Sequence, residues 1–299
     1  MTQTQKYVWI IKQIYHSRDG ISLRELSDRW EREGNPPILR GTFYRWIDAI
    51  CEQFKIDISH EERPPYRYFI ANPEDINDDR MNKWLMESVS MGTTLMGCLD
   101  IKDRIMLENV PTANEFLTTI ITAMKSNRQV QITFRGFGKI YSSTFPVQPL
   151  FIKLFQNRWY MVARRYYKGW GIRTFCLDRI EEAVILDEKF EMPEDFVPEE
   201  YFANTYGVSH VEGEEPYKIV FRVQERQKYY FMTLPMHHSQ RLIADEGSYA
   251  DFEVTLVPTD EFFFEMLKNG SLVEIISPKE VVDLMKEWVN DLYYVYNKD

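Results

Sequence analysis

The stretch from Asn157 to Ile180 constrains this chain more than any other. Its first arm runs from Asn157 through Arg158, Trp159, Tyr160, Met161, Val162 and Ala163 to Arg164. A basic, aromatic turn follows, and the second arm runs from Ile172 to Ile180. Both arms alternate and favour β-branched and aromatic residues, the pattern of strands. Lys168-Gly169-Trp170-Gly171 supplies turn residues, so the spacing predicts a β-hairpin. Period-two geometry places Tyr160, Val162 and Arg164 on one face, with Trp159, Met161 and Ala163 on the other. On the second arm Arg173, Phe175 and Leu177 share a face. A hairpin built only to fill a core has little use for arginines in mid-strand.

Those arginines point to an anion. A planar guanidinium gives bidentate, charge-assisted hydrogen bonds to phosphate. Aromatic rings add stacking surface, worth about 1–3 kcal/mol per base in single-strand binders. The candidate ligand-binding residues are Arg135, Trp159, Tyr160, Arg164, Arg173 and Arg179. Trp159 is as well suited to filling a core, and Arg179 has Asp178 and Glu182 within reach in sequence. Arg173 and Tyr160 are the firmest choices, because each sits mid-strand.

The hairpin resembles the WYL domain, named for a Trp-Tyr-Leu triplet. Here the triplet is Trp159-Tyr160-Met161, followed by the Arg-x-Phe-x-Leu-Asp-Arg-Ile run from Arg173 to Ile180. Upstream, Ala123-Met124, the strand Val130 to Arg135, and Val147-Gln148-Pro149-Leu150 fit the same pattern. Two positions depart from it. Met161 replaces Leu, a conservative change in shape and polarity. Phe134 stands where Tyr is usual, so a hydroxyl is lost. The resemblance implies a small Sm-like β-barrel that senses a nucleotide or nucleic-acid ligand, within a transcription regulator carrying an N-terminal helix-turn-helix.

Charge is distributed to match. The net charge of −10 argues at first against a nucleic-acid partner. Residues 1–70 hold 11 Lys and Arg against 10 Asp and Glu, and residues 71–127 hold 5 against 9. Residues 128–190 hold 11 against 5, a basic island, whereas residues 191–299 hold 9 against 22. A local patch decides whether a polyanion binds, and the acidic third would confine it there.

At the N-terminus, Tyr7, Ile10, Ile11 and Ile14 have helical spacing. Ser22 with Glu25 three residues on forms a capping box ahead of a second helix. A third begins near Arg40, with Phe43, Trp46, Ile47, Ile50 and Phe54 as its apolar stripe. Its other face shows Arg40, Thr42, Tyr44 and Arg45. Two short strands then flank a loop from His60 to Tyr66 that contains Arg63. The order resembles a winged helix-turn-helix, whose last helix meets base edges and phosphates. The run Arg40-Gly41-Thr42-Phe43-Tyr44-Arg45 carries that likeness. The expected DNA-binding residues are therefore Arg40, Thr42, Tyr44, Arg45 and Arg63. The bland alternative is a small helical interaction domain with solvated charges.

The remaining organisation is expected as follows. Residues 71–114 form a helical connector, residues 115–190 the WYL-like domain, and residues 191–215 a linker with one helical turn. Residues 216–299 form a small α/β domain, resembling the extension that follows WYL domains, with Ser239-Gln240, Gly270 and Val273 to Pro278 carrying the likeness. The fold class expected is thus a multidomain α+β chain. No apolar run approaches a membrane span. Three cysteines, Cys51, Cys98 and Cys176, match no metal spacing. With no export signal, they fit a reducing cytoplasm.

Catalytic chemistry has no positive support. None of the five histidines has a helical i, i+4 metal partner, and no Gly-x-Ser-x-Gly elbow occurs. Gly136-Phe137-Gly138 reads as a hairpin turn, since a phosphate loop would need Gly-Lys-Ser/Thr opening a helix. The expectation is a non-enzymatic, cytoplasmic homodimer with no cofactor and no metal. It would bind double-stranded DNA and sense an anionic nucleotide or single-stranded nucleic-acid effector. The alternative is an accessory protein whose WYL-like domain binds single strands or modulates a partner enzyme.

Overall fold

The computed structural model describes residues 2–17, 19–71, 114–194 and 196–298, with residues 84, 87–89, 91–92, 94–95 and 103–106 between them. The connector expected over 71–114 therefore lies largely outside the described residues, as does Cys98. The chain divides into two compact units, residues 1–108 and 109–299. Several antiparallel sheets combine with helices in a mixed α/β architecture.

The first unit opens with α1 (Gln3–Tyr15), α2 (Leu23–Arg32) and α3 (Arg40–Phe54). The capping box at the start of α2 is present: Glu25 N donates to Ser22 Oγ, and Ser22 N donates to Glu25 Oε2 at 2.9 Å. Two orphan amides at the helix start are thereby satisfied. Ile10, Ile11, Leu26, Phe43 and Ile50 are buried, so the three apolar stripes share one core. Trp46, placed by its spacing on the α3 stripe, is only half-buried, edge-on to Trp30.

After α3 come β1 (Ile58–His60) and β2 (Tyr68–Ile70), paired antiparallel. An isolated bridge between Ile21 and Tyr68 ties this hairpin to the α1–α2 turn. That contact requires glycine at position 20. Gly20 has φ +73, and a Cβ there would sit 2.9 Å from Arg67 Cβ.

The second unit begins with α4 (Asn114–Lys125). Strands β3 (Arg128–Phe134), β4 (Ser143–Phe155), β5 (Arg158–Tyr166), β6 (Trp170–Cys176) and β7 (Ile180–Lys189) follow. They form one antiparallel sheet in the order β6-β5-β4-β3-β7. Helix α4 buries Ile120 and Ala123 against Val130, Ile132, Val147, Met161 and Phe175. The predicted hairpin is β5–β6, with Met161 opposite Phe175 and Tyr160 opposite Cys176. The turn at Gly136 to Lys139, closed by Lys139 N donating to Gly136 O, joins β3 to β4.

A segment follows that holds the single turn α5 (Pro198–Tyr201). Then come β8 (Tyr217–Gln224), α6 (Gln227–Thr233), β9 (Arg241–Asp245) and β10 (Tyr249–Leu256). The chain ends with α7 (Asp260–Leu267), β11 (Val273–Ser277) and α8 (Lys279–Tyr296). These strands form a second antiparallel sheet, ordered β11-β8-β10-β9. Ile219, Phe221 and Val223 alternate into its core with Ala250, Phe252 and Val254, against Phe262 and Met266 of α7.

The glycine at position 20 gives a stability test. Gly34, at φ +80, has open space around it. Gly34→Ala should cost only the left-handed strain, about 1–2 kcal/mol. Gly20→Ala should cost more, because its Cβ also meets Arg67 and, at 3.1 Å, Tyr68 O. Denaturant midpoints of the two variants check this; equal losses would show that the Arg67 contact gives way freely.

Candidate functional site

Strand β5 lies between two neighbours, and its two faces lead to different places. Met161 and Ala163 face the core with Phe175. Tyr160 alternates onto the other face, whose β4 neighbours in register are Lys153 beside Tyr160 and Phe155 beside Arg158. That face is covered by the segment after β7. Phe151 packs against Phe202 with ring centroids 6.1 Å apart, and Phe155 meets Tyr206 edge-on at 5.5 Å. Lys153 Nζ donates to Gly207 O at 2.6 Å, and Thr174 Oγ1 donates to Val208 O at 3.2 Å. We refer to residues 198–210 as the strap.

Where the strap leaves the sheet, a cleft of about 500 Å³ opens. Arg158, Tyr160, Arg173 and Arg179 line it from the sheet side, and Tyr201 and His210 from the strap. Phe137, from the β3–β4 turn, closes another side. The volume lies in the range of small-molecule sites. Among the described residues no carboxylate lines it.

Each guanidinium is held differently. Arg158 pairs with Asp178 at 2.9 Å. Arg179 lies over the rings of Phe137, at 3.8 Å, and Phe134, at 4.7 Å, and its Nε donates to Arg135 O at 3.0 Å. It pairs with neither Asp178 nor Glu182. Phe134, the position that lacks the usual hydroxyl, thus serves as a platform for Arg179. Arg173 belongs by alternation to the core face, beside Phe175. Because β6 is an edge strand, its side chain turns back instead: Nη1 donates to Ile172 O at 2.8 Å. Neither Arg173 nor Arg179 has a carboxylate partner among the described residues.

The six sequence candidates do not converge on one place. Tyr160, Arg173 and Arg179 line the cleft. Arg164 lines a second, more open cleft with Gln148 and Lys189, and stacks over Trp170 at 5.1 Å. Trp159 is half-buried against the core. Arg135 is exposed and ion-paired with Glu181. Sequence reasoning missed Arg158, although it lies two residues from Tyr160 and shares its face. It also missed Phe137, Tyr201 and His210, whose loops carry no periodic signal.

Burial tunes the groups beneath the strap. The Tyr160 phenol is pushed up to about 12, chiefly by burial and then by the neighbouring Cys176. Burial lowers Lys153 to about 8, with Glu261 opposing the shift. The Tyr201 phenol is raised by burial first and Glu212 second, with Arg173 opposing.

In the first unit, Arg40, Tyr44 and Arg45 are exposed on α3, and Thr42 is half-buried. Arg40 Nε donates to Tyr44 OH at 3.1 Å. Arg45 reaches back to Gly41 O at 3.2 Å and to Thr42 Oγ1 at 3.4 Å. Arg63 is exposed in the β1–β2 loop. Hydrogen bonds from Arg40 and Tyr68 lower the Tyr44 phenol, and burial pushes Tyr68 up to about 12. Among the described residues no cluster of His, Cys, Asp or Glu could hold a metal. No described helix is long and apolar enough to cross a membrane.

Residues 115–185 match the family model of the WYL domain, and residues 215–293 match that of the WCX domain. No curated protein matches the chain. Among solved structures, the chain is similar to proteasome accessory factor B/C (PafBC) of Arthrobacter aurescens. The identity is 15%, with 95% of this chain and 45% of that one covered and a TM-score of 0.37. The chain therefore spans less than half the length of that protein. It is also similar to a CRISPR Cas-related protein, at 13% identity, with 99% and 85% covered and a TM-score of 0.34.

The lowered Lys153 predicts a pH-dependent stability. Between about 8 and the ordinary 10.5 the unfolded chain holds a proton that the folded chain has lost. Stability contributed by this position therefore rises with pH across that window and is lost as pH falls through about 8. Relative to Lys153→Met, the unaltered protein should gain in melting temperature over the window. A constant difference would mean that the ammonium ionises as freely as in water.

Proposed function

We propose, from the premise that the chain carries a WYL domain followed by a WCX domain, that it is a DNA-binding transcription regulator. In this reading the WYL domain senses an anionic, nucleotide-like effector. The observation that carries it is the cleft, where three guanidiniums meet aromatic side chains and, among the described residues, no carboxylate lines the wall. An anion entering there finds donors already held in place. The donors are Arg158, Arg173 and Arg179, with Tyr160 contributing a neutral phenol.

The first unit is the DNA-binding half of the proposal. Its helix order and terminal hairpin support a winged helix-turn-helix. Helix α3 would be the recognition helix, with Arg40, Thr42, Tyr44 and Arg45 toward DNA and Arg63 on the wing. In this reading the five-stranded sheet is the Sm-like barrel. The protein acts as a homodimer on a two-fold site, and occupancy changes the spacing of its DNA-binding domains. That requires the effector to bind the two arrangements with different affinity. Function then rests on binding, without catalysis.

The near-neutral first 70 residues, 11 basic against 10 acidic, favour a second reading. There the protein is an accessory factor whose WYL domain engages single strands or a partner enzyme. One experiment separates the two. The protein is titrated with a duplex from its own upstream region, a scrambled duplex and a single strand, at two salt concentrations. Under the regulator reading Arg45→Ala weakens specific duplex binding by about tenfold or more, as losing a base contact of about 1–3 kcal/mol would. Arg173→Ala keeps duplex binding but loses the effector response. Unchanged duplex affinity in Arg45→Ala removes α3 from the interface. A preference for single strand that Arg173→Ala abolishes establishes the second reading.

A further inference from the structure

Residues 186–214 fall between the two family matches, yet part of this stretch builds the cleft. The strap lies against the sheet through Phe202, Gly207 and Val208, as described above. Its other side is fastened to the C-terminal domain. Thr205 bridges Val257, and Val257 N donates to Asn204 O at 2.8 Å. Tyr206 OH donates to Glu265 Oε2 at 2.7 Å, and Ser209 Oγ donates to Glu261 Oε1 at 2.5 Å. Gly207, at φ +99, leaves no room for a side chain, since a Cβ would lie 2.9 Å from Glu261 Cβ. The strap is thus clamped on both sides.

At its end the strap presents rings to the cleft. His210 stacks on Tyr201 with centroids 3.9 Å apart and planes 27° from parallel. His210 is otherwise exposed, whereas Tyr201 also meets Phe196 and Phe202. The cleft therefore has two chemically different walls. The sheet wall is cationic and the strap wall is aromatic.

We propose that the strap is the specificity wall of the cleft. The sheet arginines take the anionic part of the effector, His210 stacks on its flat ring, and the C-terminal domain holds that ring in position through Tyr206 and Ser209. This rests on reading the cleft as the effector site. It assigns to the C-terminal domain a part in effector selection, since its carboxylates set where His210 stands. Glu265 and Tyr206 are positioning residues in this scheme.

The test compares two probes on the full chain: a 5′-phosphorylated tetradeoxyadenylate and inorganic pyrophosphate. Both carry phosphate, and only the first carries rings. His210→Ala removes an exposed ring, and Tyr206→Phe removes only the hydroxyl that bonds Glu265. Each should weaken the oligonucleotide about tenfold, the size of one lost stacking contact, and leave pyrophosphate unchanged. Arg173→Ala should weaken both probes. If Arg173→Ala weakens both while His210→Ala and Tyr206→Phe change neither, the strap proposal is overturned and the cleft reading stands. If the unaltered protein binds neither probe, the effector reading falls, and the ring-wall role with it. Amide exchange needs no ligand and reads the clamp directly. Tyr206→Phe should speed exchange several-fold at Thr205 and Val257, whose amides donate to Phe202 O and Asn204 O, and unchanged exchange there overturns the clamp.

Discussion

Three consecutive residues of β5, Met161, Val162 and Ala163, are completely buried. A strand turns successive side chains to opposite faces, so such a run requires cover on both. One cover is the core under α4. The other is the strap, which has no regular structure beyond a single turn. Much of the second unit follows from this need. Phe202 of the strap is buried against Phe151, the β4 neighbour of Val162 in register, and Thr205 is buried where the strap bridges Val257. The cleft opens toward Arg158 and Tyr160, where that cover lifts off the sheet.

Arginine is well suited to the rim of such a cleft. Its guanidinium is weakly hydrated and can rest on an aromatic face while keeping its donors free. Arg179 on Phe134 and Phe137 shows the arrangement. A lysine there would hold a compact, strongly hydrated charge and no bidentate fork. The second cleft, with Arg164 and Lys189, differs in kind. Its charges stand beside the carboxylate of Glu191, which lines that cleft together with the buried Phe190. The contrast explains why arginines read from one hairpin do not amount to one site.

Much of the fold was legible because its elements are periodic. The capping box at Ser22 and Glu25, the β5–β6 hairpin and the helix Lys279–Tyr296 all carry local signals. The cleft was legible only in part. Tyr160 and Arg173 stand in strands, where alternation assigns a face, but Arg173 leaves its assigned face because β6 is an edge. That Arg135 stands outside the cleft could not be read for a different reason: its partner Glu181 lies 46 positions away and becomes a neighbour only through β3–β7 pairing. Tyr201 and His210 were illegible because a strap has no period. Their place is set by anchors such as Glu261 and Glu265, more than fifty residues further on.

The acidic C-terminal third is easily read as hostile to an anion. Glu212 acts on Tyr201 at the cleft, but two other carboxylates behind the strap are engaged elsewhere. Glu265 accepts from Tyr206, and Glu261 accepts from Ser209. They fasten the strap from behind and do not line the cleft. Their negative charge still acts at longer range, repelling a polyanion from the rest of the surface and leaving the arginine rim as the favoured approach. The same bonds fix the strap before any ligand arrives. Ordering a loop at the moment of binding subtracts from affinity, about 0.5–1.5 kcal/mol for each long side chain immobilised. A strap already held by backbone and carboxylate bonds would spare a ligand of the cleft that cost, and few contacts would then suffice for selective binding.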